Sequence, residues 1–257
     1  MKRTKTTIDK STIPNEFLHL LSGADIYDSS CSPEARVLYI DKDRGYFLKC
    51  AAKGTLKREA VLADYFHKKQ LTAPVLGYIS NEKDWLLTER VPGEDATFQV
   101  YLDDPKRLAV KSGEILRALH ELDFSDCPIS DRMSEYYSLV DENYAKGIFD
   151  PSFSVFPSAE KAYKFAKEGK SLMKNEVLLH GDYCLPNFLM KDWKFTGFID
   201  LGNAGVGDRH IDLFWGAWTL NFNLKTNKYI DTFLSAYGND KIIGEKLAYI
   251  AAAECFG

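Results

Sequence analysis

Apolar and polar positions alternate in short runs over the first ninety residues and recur at helical spacing over much of the rest. Residues 13–22 read as a short helix, with Leu18 and Leu21 three apart, Phe17 beside them and Ser11 or Thr12 as its cap. Residues 26–27, 36–40 and 46–49 read as strands of successive hairpins, turned by 28–33 and 41–45. A helix over 55–69 follows, then strands over 74–79 and 85–89. Arg90-Val91-Pro92-Gly93 breaks the pattern, which divides the chain into 1–92 and 93–257. Residues 105–121 predict an amphipathic helix, with Pro105 in its first turn and Leu108, Ile115, Leu116 and Leu119 as the buried stripe. Residues 131–157 mix Tyr136, Tyr137, Tyr144, Phe149, Phe153 and Phe156 with Asp141, Glu142 and Asp150 and show no readable period. Residues 158–174 read as a helix capped by Ser158. Residues 177–201 read as strand, loop, short strand, turn and strand, with Asp182 ending the first of these strands. Three helices, about 208–221, 226–237 and 240–256, close the chain, and Asp208 is placed to cap the first. Their aromatic residues, Trp215, Trp218, Tyr229, Phe233 and Tyr249, read mostly as core.

Composition changes this picture little but excludes several functions. A chain of 257 residues with 45% hydrophobic positions can bury a substantial core. A net charge of −4 argues against a nucleic-acid partner and suits a cationic ligand. Cys31, Cys50, Cys127, Cys184 and Cys255 are scattered, with no Cys-x-x-Cys pair, which argues against a disulfide framework or zinc site and points to a reducing cytosol. The basic opening Met-Lys-Arg-Thr-Lys runs into polar residues where a secretory signal needs an apolar core. No apolar run approaches the ~18 residues that span a bilayer. The expectation is therefore a cytoplasmic protein with no membrane partner. Gly169-Lys170-Ser171 imitates the tail of a phosphate-binding loop, but Lys164 stands where its first glycine is required and no strand precedes it. Gly202, Gly205 and Gly207 do not form the dinucleotide-binding order.

Chemistry concentrates in three residues: Asp182, Asn187 five positions on, and Asp200 thirteen positions after that. Phosphoryl transfer from ATP needs one carboxylate facing the attacking hydroxyl and oxygen ligands that hold Mg²⁺ against the phosphates. The Asp-to-Asn spacing equals that of the protein-kinase catalytic loop, and Asp200 falls where a second metal-binding Asp belongs. Either part alone reads as ordinary loop residues; together they read as a kinase-type site. Upstream, Lys49 ends a strand and Glu59 follows ten positions later in a helix, as in the lysine–glutamate pair that fixes kinase phosphates. A solvated lysine is the alternative. Phe47 shares a strand face with Lys49.

The run His180-Gly181-Asp182-Tyr183-Cys184-Leu185-Pro186-Asn187, the run Gly197-Phe198-Ile199-Asp200-Leu201-Gly202, Gly205, and Asp208-Arg209-x-x-Asp212 resemble the aminoglycoside 3'-phosphotransferases. These are bacterial antibiotic kinases with a protein-kinase-like fold. The resemblance covers nearly the whole chain, is strongest over 177–213, and departs at Asn203, where the family usually has Arg.

It implies an α+β, two-lobed fold: a nucleotide-binding lobe (1–92) with an antiparallel sheet and one main helix, and a mainly helical catalytic and substrate lobe (93–257). It implies Asp182 as the carboxylate that takes the hydroxyl proton, Asn187 and Asp200 as Mg²⁺ ligands, and Lys49, held by Glu59, on the ATP phosphates. Phe47 would stack on adenine, with a core Phe the equal alternative. The turn of the first hairpin, with Ser30 and Ser32, would cradle phosphates, an ordinary polar turn being the other reading. Backbone from Thr88 to Arg90 would meet the adenine edge. Asp126, Asp141, Glu142, Asp150 and Glu254 are candidates for substrate ammonium groups, although the family's acidic flap is here less acidic and more aromatic. Glu254 and Phe256 match the family's C-terminal pattern, Gly257 adds one residue, and a solvated helix end is the alternative. His120, His180 and Asp212 are given structural roles. The activity implied is ATP-dependent phosphorylation of an aminoglycoside, at the 3' hydroxyl first, by a monomer or weak dimer. The alternatives are a kinase of another hydroxylated metabolite, such as choline or a sugar, and a nucleotide-binding pseudokinase.

Overall fold

Six strands from the first third of the chain pair into one antiparallel sheet: β1 (Thr4–Lys5), β2 (Asp25–Asp28), β3 (Ala35–Asp41), β4 (Tyr46–Ala52), β5 (Val75–Ser80) and β6 (Lys83–Glu89), in the order β1-β2-β3-β4-β6-β5. The structure, a computed structural model, describes residues 3–153 and 155–257. Met1 and Lys2 of the basic opening, and Ser154 of the aromatic stretch, lie outside the described residues.

Register decides what each sheet face carries. Val37, Lys49 and Leu86 form one cross-strand row, and Tyr39, Phe47 and Thr88 form another. Cross-strand partners share a face and neighbours along a strand do not. Lys49, Phe47 and Thr88 therefore stand on one side. Leu38, Leu48 and Leu87 stand on the other, packed with Ile13, Phe17, Leu20, Leu21 and Trp85.

The helix expected over 13–22 is instead two 3₁₀ turns, Lys10–Thr12 and Asn15–Phe17, running into the short α1 (Leu18–Leu21). Pro14 is the reason: Ile13 before it is extended at φ −93°, ψ 138°, as pre-proline sterics favour. Asp9 caps the first of these turns, accepting from the Ser11 amide, and neither the second turn nor α1 has a side-chain cap from Ser11, Thr12 or any other residue. Helix α2 (Lys57–Lys68) buries Ala60, Leu62, Ala63, Tyr65 and Phe66 and carries Glu59 in its first turn.

The chain packs as two compact units, each drawn from two stretches. The first comprises the described residues up to Asp95 and returns with Pro186–Gly202. The returning hairpin, Phe188–Lys191 and Lys194–Phe198, turns through Asp192 and Trp193, both left-handed, and joins Glu94–Asp95 in a three-stranded sheet. The Phe198 amide donates to the Leu71 carbonyl, and Thr72 Oγ1 donates to the Phe198 carbonyl at 2.6 Å. The division expected at residue 92 thus has a second component in 186–202.

The second unit, Ala96–Leu185 with Asn203–Gly257, is mainly helical. It holds α3 (Gln99–Leu102), α4 (Pro105–His120), α5 (Arg132–Ala145), α6 (Ala159–Gly169), α7 (His210–Leu224), α8 (Ile230–Tyr237) and α9 (Gly244–Glu254). Val177–Leu179 pairs antiparallel with Gly205–Gly207. Asp104 caps α4 through the Arg107 amide, and Pro105 opens it. Helix α5 occupies part of the stretch without a readable period; Met133, Tyr136, Tyr137 and Val140 enter a core with Ala162, Ala166, Ile250 and Phe256. Ser158 caps α6, which ends at Gly169 rather than 174, where a side chain would strike the Tyr249 ring. Asp208 lies just before α7 and accepts from the His210 amide at 3.1 Å. The architecture is α+β. Among the described residues no helix is long and apolar enough to cross a membrane.

Candidate functional site

On the first unit, Lys49 Nζ lies 2.7 Å from Glu59 Oε2 and 3.0 Å from Asp200 Oδ1. Strand β4 presents the lysine, the first turn of α2 presents the glutamate, and Asp200 comes from the returning segment with a left-handed backbone, φ 58°. Burial opposes the Lys49 charge, but Glu59 and Asp200 outweigh it and hold the ammonium above the usual lysine range. Burial pushes Glu59 up, and Lys49 offsets part of that. Asp200 is the accessible member, its side chain 54% exposed against 21% for Lys49 and 13% for Glu59.

Asn187 is buried, and its backbone carbonyl accepts from the Ile199 amide at 2.9 Å, which ties it to the neighbour of Asp200. An amide oxygen and a carboxylate are the hard donors that Mg²⁺ takes. Among the described residues no group of three or more His, Cys, Asp and Glu side chains could hold a metal ion. Two protein oxygens completed by phosphate and water suit Mg²⁺ better than an all-protein cage.

Phe47 is half-buried, with its ring 5.2 Å from that of Tyr39. Thr88 is half-buried in the same row. The Arg90 amide donates to the Gly45 carbonyl, and its guanidinium to the Gly93 carbonyl at 3.1 Å. In the first hairpin turn, Ser30 Oγ accepts from the Val37 amide and the Ser30 amide donates to Asp28 Oδ1, both at 2.9 Å. Ser32 hydrogen-bonds Glu34 and holds that carboxyl below its usual range. Both serines therefore help to shape the turn itself.

On the second unit, the strand before Asp182 ends at Leu179, three residues earlier than expected. Gly181 interrupts it at φ 84°, and a Cβ there would strike the Asn203 carbonyl. Asp212, fully buried in the first turn of α7, holds this turn. Its Oδ2 accepts from the His180 amide at 2.7 Å and its Oδ1 from the Gly181 amide at 2.8 Å. His120 Nε2 lies 3.1 Å from the same carboxylate, and its Nδ1 lies 2.9 Å from the Tyr237 hydroxyl. Burial holds His120 below the usual imidazole range, with Asp212 working against it. His180 Nδ1 accepts from the Asp182 amide at 3.3 Å. Burial, then Asp182, pushes the Cys184 thiol far up, which keeps it protonated.

Glu254 is not a solvated helix end. It is buried, and its Oε1 accepts from the Tyr136 hydroxyl at 2.8 Å and from Trp215 Nε1 at 3.2 Å. Burial pushes its carboxyl up to about 7, with Asp182 adding to the rise and the two donors opposing it. The sequence names Tyr136 only among the aromatics of 131–157 and Trp215 only as core; nothing links either to Glu254, because they lie 118 and 39 positions away. Asp126 and Asp150 are exposed; Asp150 accepts from the Ser152 amide at 2.8 Å. Asp141 is engaged by Lys167 at 2.7 Å and Tyr163 at 2.8 Å, and Glu142 lies 3.6 Å from Lys146.

Comparison with known proteins gives one answer by sequence and by fold. The pattern of the phosphotransferase enzyme family matches residues 32–249. A probable aminoglycoside 3'-phosphotransferase of Lactococcus lactis subsp. lactis (strain IL1403) is 46% identical over 261 residues, covering 100% of this chain and 99% of that protein. An aminoglycoside 3'-phosphotransferase of Niallia circulans is 30% identical, covering 92% and 94%. Among solved structures, an aminoglycoside-3'-phosphotransferase of type VIII superposes with a TM-score of 0.75 at 24% identity, over 91% of this chain and 94% of that one. APH(3'')-Id of Streptomyces rimosus, in complex with ADP and streptomycin, superposes at 0.76 with 20% identity, over 97% and 99%. The α+β fold is the kinase-like one of these phosphotransferases.

Proposed function

The chain belongs to the phosphotransferase enzyme family, and from that premise we propose that it moves the γ-phosphate of ATP to an aminoglycoside hydroxyl, the 3' hydroxyl first. The observation that carries the reading is Lys49 held between Glu59 and Asp200. A fixed ammonium beside an accessible carboxylate is what a nucleotide triphosphate and its cation require.

In this reading the first unit binds nucleotide. Lys49 takes the α and β phosphates, and Glu59 keeps it from swinging away. Phe47 lies against adenine, Thr88 to Arg90 offer backbone to its edge, and the turn of Ser30 and Ser32 covers the phosphates. Asn187 and Asp200 would hold Mg²⁺, which when bound neutralises phosphate charge. The second unit supplies Asp182, which accepts a hydrogen bond from the acceptor hydroxyl and takes its proton late. The transition state is loose, so orientation of the hydroxyl matters more than base strength. Asp150 and Asp126 receive ammonium groups, and the buried Glu254 holds Tyr136 and Trp215 in place rather than an ammonium. The protein works in the cytoplasm as a monomer or weak dimer.

Asp182→Ala is expected to abolish turnover, below about one part in 10³, while calorimetry still records ATP binding. Retained turnover would refute the assignment. The acceptor is tested by coupled ATP turnover with kanamycin, neomycin, a 3'-deoxy aminoglycoside and choline. Turnover with kanamycin and none with the 3'-deoxy compound is the expected result. The pairing of Asp141 with Lys167 leaves fewer anions for a polycation, which favours keeping choline as the second reading; turnover with choline alone would select it.

A further inference from the structure

Phe153, from the aromatic stretch before α6, reaches the rings of α7. Its centroid lies 6.2 Å from Phe214, 5.6 Å from Trp215 and 5.8 Å from Trp218. Trp215 meets Trp218 edge-on at 5.4 Å, and Trp218 stacks on Phe222 at 4.9 Å and 13°. Positions 215, 218 and 222 are three and four apart, so these rings run along one face of the helix. Phe214 and Trp215 pack against the core of the second unit. Trp218 is only half-buried, and Phe222 is 54% exposed.

Two observations give this stripe a ligand. At one end, Trp215 Nε1 donates to Glu254, whose carboxyl feels the charge of Asp182. The rings thus continue from the neighbourhood of the proposed hydroxyl acceptor. At the other end, Lys225 Nζ sits 4.2 Å from the Phe222 centroid, so a ring of the stripe already carries an ammonium on its face.

We propose that Trp218 is the platform for an amino-sugar ring of the acceptor, which lays its apolar C–H face and one ammonium on the indole. The proposal rests on the reading of this chain as an aminoglycoside kinase. Indole is the strongest cation–π partner among side chains, and the attraction grows when the cation leaves water. With Asp141 occupied by Lys167, aromatic faces take up ammonium groups that carboxylates would otherwise bind. A ring also costs less to desolvate than a carboxylate.

The test is calorimetric titration of kanamycin into the full-length protein and into the Trp218→Leu and Trp218→Phe variants, with melting curves for each. Leucine keeps apolar bulk and removes the π face; phenylalanine restores it. Binding is expected to weaken about tenfold or more in Trp218→Leu and to stay within about threefold in Trp218→Phe. Equal affinity in wild type and a folded Trp218→Leu would overturn the platform, as would the absence of kanamycin binding to the wild type. Should Trp218→Leu fail to fold, a Trp218→Phe variant with its binding abolished would also overturn it. Kanamycin bound but not phosphorylated would sink the reaction proposed above and leave the platform standing. Kanamycin phosphorylated with an unchanged KM in Trp218→Leu would do the reverse.

Discussion

The fully buried Asp212 accepts two backbone amides, one buried and one part-buried, and faces one buried imidazole. Asp212→Ala would leave the His180 and Gly181 amides without their acceptor. Removing one member of a buried, charge-assisted set costs about 3–5 kcal/mol, and urea unfolding should record a loss of that size. Glu254 makes the opposite kind of prediction. Its folded carboxyl titrates near 7, above the usual range, because it is buried. The native state therefore keeps a proton that the unfolded chain releases near pH 4, so stability falls as pH rises from about 4 through 7. The window is worth on the order of 3 kcal/mol. Compared with Glu254→Gln, the wild-type melting temperature should drop across that range; parallel curves would remove the effect. These two acids also mark what one sequence discloses about a site. Lys49 and Glu59 were readable because a strand and a helix hold them at fixed spacing. The partners of Glu254 were not, since nothing local links Tyr136 or Trp215 to the chain end.

Helices α4 and α8 meet at Gly113, where a Cβ would lie 2.5 Å from the Phe233 carbonyl oxygen and 2.9 Å from the Tyr237 amide nitrogen. Both obstacles are backbone, so the helices must separate. Gly113→Ala should cost about 1–3 kcal/mol despite its better helix propensity. Gly244, at the start of α9, has nothing within 4 Å of the same added atom. Gly244→Ala should be neutral or stabilising by up to about 1 kcal/mol. Thermal melts of the two variants check the pair, and equal shifts would contradict the packing described. Helix α4 was legible in sequence because proline opens it and leucines repeat along one face. Helix α5 was not: its buried positions include Tyr136, Tyr137 and Val140, residue types that favour strands. Tertiary burial against α6 and α9 decides its state.

The first unit is completed by Pro186–Gly202, which supplies two of the three strands in its smaller sheet. A fragment of residues 1–95 leaves Glu94–Asp95 unpaired and the Leu71 carbonyl without its donor. That fragment should show no cooperative unfolding transition, whereas the full chain should; calorimetry of both decides. The sequence showed a break near residue 92 but not the return, because pairing partners a hundred positions apart leave no local mark.

Inheritance gives this interleaving a consequence. A recombination that replaced the first 95 codons would deliver an incomplete unit, mismatched to a hairpin from the other parent. Transplanting the unit whole takes a second exchange, and one of its breakpoints falls between Leu185 and Pro186. That junction lies inside the five-residue interval from Asp182 to Asn187. A single crossover therefore cannot trade the first unit for another parent's.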